Sequence, residues 1–127
     1  MDVQKMREYV QRWIAELRSG KYAQAQGVMK KSDGCFCALG VLCNLFVSDE
    51  IGKWVLGGDQ LYHPRNRFYY ESPEGRIASS WLTLEHHNTF DELFGKQGVE
   101  NNITKMNDSG KTFAQIADMI ERELQRA

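Results

Sequence analysis

The stretch Phe36 to Val47, FCALGVLCNLFV, is the most apolar part of the chain, and its reading decides the fold. Twelve such residues suit one buried helix better than a strand. Gly40 inside it costs about 1 kcal/mol relative to alanine in a helix interior. Its presence therefore implies close packing against another backbone. Asn44 is the lone polar residue and needs a hydrogen-bond partner or a place at a rim. Cys37 and Cys43 read as small apolar fillers of the same helix.

On the N-terminal side, Val3, Met6, Val10, Trp13, Ile14 and Leu17 recur at helical spacing. They define an amphipathic helix that ends near Arg18, with Gly20 as its C-cap. Residues 21–34 are polar and irregular. Between Leu17 and Ser32 stand Arg18, Lys21, Lys30 and Lys31 with no acidic residue, and Asp33-Gly34 marks a turn.

On the C-terminal side, Lys53–Leu56, the Gly57-Gly58-Asp59 turn and Gln60–His63 read as a hairpin, with Arg67–Glu71 as a third strand. Ile77 to Leu84 suits a short helix. Thr89-x-x-Glu92 fits a capping box that opens a helical turn through Phe94. His86-His87 reads as an exposed loop. Asn101 or Asn102 caps a further helix with Ile103 and Met106 facing inward. Thr112-x-x-Gln115 is a second capping box, ahead of the stripe Phe113, Ile116, Ala117, Ile120 and Leu124. The expected fold is α+β. A single domain over 1–127 has a central buried helix, further helices around it and a small antiparallel β-sheet from 53 to 71.

Composition narrows the function. The chain has 127 residues, of which 42% are apolar and 26% charged, as in a globular domain. Seventeen acidic against sixteen basic residues give a net charge of −1, which excludes a dedicated non-specific nucleic-acid binder. No apolar run reaches the ~18 residues of a membrane span. The N-terminal MDVQKMREYVQRW is amphipathic and charged, unlike a signal peptide, so a cytoplasmic location is expected. Cys35, Cys37 and Cys43 do not have a standard zinc spacing, and neither metal nor disulfide is expected.

Three motifs run in order along most of the chain. They are Trp13 with Leu17-Arg-Ser-Gly-Lys-Tyr22, Gln24 and Gly27; Phe36-Cys-Ala-Leu-Gly-Val-Leu-Cys43; and Asn107-Asp108-Ser-Gly110 with Phe113, Ile116 and Ala117. Together they resemble a widespread family of small phage and prophage proteins. Ala38 stands where that family has a second cysteine, so a mechanism needing adjacent cysteines does not carry over. The resemblance implies a phage-type counter-defence protein in the host cytoplasm. Such a protein acts by sequestering a nucleotide-derived signal or by occupying a host defence protein.

The residues themselves suggest the mode. Lys21, Tyr22 and Gln24 offer a cation, a phenol and an amide, suited to a phosphate and a base edge. Arg65, Arg67 and Tyr69 add guanidinium groups beside an aromatic ring, a common way to hold a nucleotide. Bringing residues 21–27 beside 65–70 requires either the fold or a homo-oligomer. The Asn107-Asp108-Ser109-Gly110 segment reads first as a turn whose side chains bond the local backbone, and second as an anion site. The leading expectation is a non-enzymatic, cofactor-free binder of a nucleotide-like small molecule. Ligand contacts are expected from Lys21, Tyr22, Gln24, Arg65, Arg67, Tyr69, Asn107 and Asp108. A protein inhibitor using the mildly acidic 85–100 region is the alternative. A cysteine enzyme pairing Cys37 with His86 or His87 is third, because an apolar helix raises a thiol pKa.

Overall fold

A computed structural model describes residues 1–27, 29–31, 34–51, 53–56, 68–71 and 84–127. In chain order the elements are α1 (Val3–Arg18), α2 (Ala38–Ser48), β1 (Lys53–Leu56), β2 (Phe68–Glu71), α3 (Leu84–Phe94), α4 (Val99–Asp108) and α5 (Phe113–Arg126).

The α+β expectation is corrected. Among the described residues the architecture is mostly α, five helices packed on one another. β1 and β2 make only an antiparallel pair, with Lys53 opposite Glu71 and Leu56 opposite Phe68. Two four-residue strands are too small to form a layer that a core can be built on, and β1 lies against α2. The strand next to β1 is 68–71, while the 60–63 segment expected there lies outside the described residues. So does most of the 77–84 helix.

α1 lies at the centre, against α2, α3 and α5, while α2 also packs on α4. The apolar spacing of α1 explains this. Met6, Val10, Trp13, Ile14 and Leu17 are buried, together with Tyr9. Asp2 caps the helix by accepting the Lys5 N–H at 2.8 Å. α2 is buried on almost every side, from Ala38 through Leu42 and Cys43 to Phe46. The Trp13 indole reaches α2 and donates to the Ala38 carbonyl at 2.8 Å. α5 follows its stripe, and its Thr112–Gln115 capping box is complete, with bonds of 3.2 and 3.0 Å.

Four local expectations change. Asn101 and Asn102 do not cap a helix but lie inside α4, whose N-cap is Gly98. Cys37 is not inside its helix. It is the N-cap residue of α2, its Sγ accepting from the Gly40 N–H at 3.4 Å. Thr89 does not open a helix. It sits in the middle of α3, and its hydroxyl donates to the Met1 carbonyl at 3.2 Å. His86 is on α3 and buried, with its ring 5.5 Å from that of Phe46. A Thr-x-x-Glu pattern occurs inside helices as well as at their starts, and α3 supplies that case.

Gly40 is the closest approach in the core. A Cβ built there would overlap the Met29 carbonyl, a backbone atom with no rotamer to escape into. At the far end of α2, Asp49 joins the helix to α1. It accepts from the Tyr9 hydroxyl at 2.6 Å and from Arg12 Nη1 at 2.7 Å. The Arg12 hydrogen bond, then that of Tyr9, holds the Asp49 carboxyl below its usual value. Burial and the bond to Asp49 push the Tyr9 phenol up to about 12.

Leu42→Ala is expected to reduce unfolding free energy by about 2–5 kcal/mol. Gly40→Ala is expected to reduce it by about 1–3 kcal/mol or more, because the clash is with backbone. Urea titration measures both. The Asp49 contribution is present above the unfolded carboxylate pKa and is lost as pH falls through the lower folded value. Asp49→Asn is therefore destabilising at pH 7, and its stability gap to the native chain closes below about pH 4.

Candidate functional site

The three motif regions converge at the start of α2. Residues 23–25 and 29–31 flank the 35–37 segment on either side. On one side the Phe36 N–H donates to the Ala23 carbonyl at 2.9 Å, and the Ala25 N–H donates to the Phe36 carbonyl at 2.7 Å. On the other, the Cys37 N–H donates to the Met29 carbonyl at 3.1 Å, and the Lys31 N–H to the Cys35 carbonyl at 2.8 Å. The Phe36 ring is buried under this loop. Tyr22 packs edge-on against it with ring centres 5.3 Å apart, and Lys30 Nζ lies 5.5 Å above it.

Asn107 closes the loop onto the helices. Its side chain is buried at the end of α4. Oδ1 accepts from Gln24 Nε2 at 2.9 Å and from the Ala38 N–H at 3.1 Å. Nδ2 donates to the Ala25 carbonyl at 2.7 Å and to Asp108 Oδ1 at 3.3 Å. Gln24 also donates to the Lys111 carbonyl at 2.8 Å. Asp108 Oδ1 accepts from the Gly27 N–H at 2.9 Å. Gly27 has φ +76°, a backbone conformation that glycine adopts without strain. The expected turn with local bonds is thus replaced by the end of α4, and its side chains bond segments about 70 to 80 residues away.

The structure gathers Gln24, Asn107 and Asp108 into this one network. It places Lys21 and Tyr22 on the α1 side of the same loop, beside Glu16 and Asn44. Lys21 Nζ is 3.3 Å from Glu16 Oε1. Burial raises the Tyr22 phenol pKa, with Asn44 lowering it and Glu16 raising it in smaller measure. Tyr69 lies in β2, opposite Val55. Arg65 and Arg67 lie outside the described residues, and with them the 65–67 part of the expected meeting of 21–27 with 65–70. Sequence reading missed Glu16, Ala25 and the capping role of Cys37. Only Asn44, a polar residue in an apolar run, carried a local signal.

Cys37 and Cys43 do not have the electrostatics of a nucleophile. Burial pushes the Cys37 thiol up to about 11 and the Cys43 thiol well above its ordinary value. Thiolate is therefore scarce at neutral pH. Elsewhere, a groove of about 510 Å³ runs between α1 and α5, bordered by Arg7, Gln11, Arg18 and Glu121. A smaller cleft of about 350 Å³ opens between α3 and α4, lined by Asn88, Asp91, Gln97, Glu100 and Asn101. The two aromatic residues of the 85–100 region, Phe90 and Phe94, point into the core.

The family model described as "Domain of unknown function (DUF8296)" matches residues 5–124. No curated protein and no solved structure matches the chain.

The network predicts a graded mutational series. Asn107→Ala leaves buried backbone groups of Ala25 and Ala38 unpaired, at about 1–3 kcal/mol for each. Asn107→Asp is expected to be at least as damaging at pH 7, because a carboxylate replaces the donor to Ala25 and repels Asp108. Asp108→Ala removes two bonds, from the Gly27 N–H and from Asn107 Nδ2, and is expected to cost less, about 0.5–1.5 kcal/mol for each. Urea unfolding of the three variants checks the order.

Proposed function

The chain belongs to the DUF8296 family, and we propose that it is a non-enzymatic, phage-type counter-defence protein that sequesters a small nucleotide-derived signal. The observation that carries this reading is the set of backbone hydrogen bonds that ties residues 23–25 and 29–31 to the segment around Phe36. The 21–31 stretch carries Lys21, Lys30 and Lys31 and no acidic residue in its sequence. Cations on a backbone tied in this way suit a phosphate. The raised thiol pKa values of Cys37 and Cys43 favour a binder over a cysteine enzyme. The proposed compartment is the host cytoplasm, and the proposed assembly is a homo-oligomer in which Arg65, Arg67 and Tyr69 complete the pocket. In agreement with this, no helix among the described residues is long and apolar enough to cross a membrane.

A second reading is a protein inhibitor that occupies a host defence protein. The cleft between α3 and α4 favours it, because its carboxylates and amides suit a basic side chain of a partner.

One screen separates the two. Thermal unfolding is followed with a panel of nucleotides and cyclic nucleotides. A captured ligand at 100 times its Kd adds about 2.7 kcal/mol of stability. A protein inhibitor is unmoved by the whole panel, and that result overturns the first reading. With the binding nucleotide, Lys21→Ala and Arg67→Ala are each expected to weaken binding by about 1.5–3 kcal/mol. Lys21→Ala is expected to leave the melting temperature of the free protein nearly unchanged, since its pair with Glu16 is largely exposed on the lysine side.

A further inference from the structure

The groove between α1 and α5 carries charge at its two ends and none at its centre. Arg7 and Arg18 stand on its α1 side, three turns or about 16 Å apart along the helix. Between them come Gln11 and Ala15, both exposed, over a floor of buried Ile14 and Leu124. The ends differ in sign. Arg18 is held by Asp118 at 2.8 Å and by Glu121 at 3.1 Å. One cation thus meets two carboxylates, and that end has a negative charge in excess. Arg7, at the other end, has no carboxylate partner among the described residues. Other acids of the two helices pair elsewhere, Glu8 with Lys5, and Glu123 with Lys96 and Arg126.

We propose that this groove is the contact face between two copies of the chain, packed about a two-fold axis perpendicular to the groove and crossing α1 near its middle. A two-fold contact is made by the same patch on both copies. With the axis in this direction, each copy lies end for end on the other. Arg7 of each copy then faces the Asp118 and Glu121 end of the other, and the attraction occurs twice. On the axis itself a side chain meets its own copy, so a charge there would repel itself. The groove places an amide and a methyl group at that point, Gln11 and Ala15, beside the apolar floor. Ala15 also permits a close approach, because the distance between packed helices follows the side chains at the contact. A wholly acidic partner is repelled by Asp118 and Glu121, and a wholly basic one by Arg7. A second copy matches both ends. The proposal gives the homo-oligomer proposed above its contact face, and it does not depend on what the 21–31 stretch binds.

Sedimentation equilibrium of the native chain tests it. The expected mass is twice 14.6 kDa at high protein concentration. Ala15→Arg puts a charge on the axis, and Arg7→Glu sets like charges against each other. Each is expected to weaken dimerisation about tenfold or more. Thermal unfolding of the isolated variants checks that the fold persists. Adding Asp118→Arg to Arg7→Glu reverses both ends and is expected to restore the dimer, which a merely structural role of Arg7 would not produce. A native chain that is monomeric at every concentration overturns the proposal and the homo-oligomer with it, and leaves the groove to another kind of partner. A dimer that survives Ala15→Arg and Arg7→Glu uses another face, which overturns the proposal and leaves the homo-oligomer standing. A dimer broken by Arg7→Glu and not restored by Asp118→Arg overturns the end-for-end pairing.

Discussion

The amide of Asn107 is the joint on which the rest of the structure depends. It is 1% exposed, and it spends both acceptor positions and both donors inside the protein. The Ala38 N–H that it accepts is one of the orphan donors in the first turn of α2. The local N-cap of that helix is a thiol, a weak acceptor, and its contact with the Gly40 N–H is long. Capping of the central apolar helix is therefore shared with a residue that lies 69 positions further along the chain. The same amide fixes Ala25, and through Asp108 the Gly27 turn, so α4 sets both where α2 begins and where the basic loop runs. Gly40 is part of this arrangement. The loop can pass so close to α2 only because no side chain stands between Met29 and the helix.

This economy decides which residues are left for a ligand. Gln24, Asn107 and Asp108 suit nucleotide recognition by residue type, yet their hydrogen-bonding groups hold the loop to the bundle. On the α1 side of the loop, Lys21, Tyr22, Glu16 and Asn44 stand together, and the ligand contacts proposed for Lys21 and Tyr22 would fall there. A rigid frame on one side and a smaller polar cluster on the other is a division common to binding proteins, in which precise sites sit on supported elements.

The parts of the fold legible in the sequence are those governed by one period. α1 and α5 repeat apolar residues at helical spacing, and α2 is apolar throughout, so their burial follows from the pattern. Gly40 was legible too, because a glycine in an apolar helix needs a packing reason. What local pattern hid were the choices made by partners. Thr89 carries a start signal but serves inside α3, tied to the Met1 carbonyl, and His86 looked exposed but packs on Phe46. Strand propensity at 53–56 and 68–71 was real, but two short strands make no sheet layer. At the candidate site, Lys21 and Tyr22 were found by composition. Glu16 was not, because it lies on a polar helix edge and gains its interest only when the loop folds back over it.

Charge shows the same effect of tertiary structure. In the sequence, Arg18 to Lys31 is a basic run. In the fold, Arg18 is held by Asp118 at 2.8 Å and Glu121 at 3.1 Å, and Lys21 by Glu16. An anion that recruits Lys21 must therefore take it from Glu16. The lysine side of that pair is 65% exposed, so the exchange costs little. Arg18 is different, because two carboxylates of α5 hold it, and an anion would have to displace both.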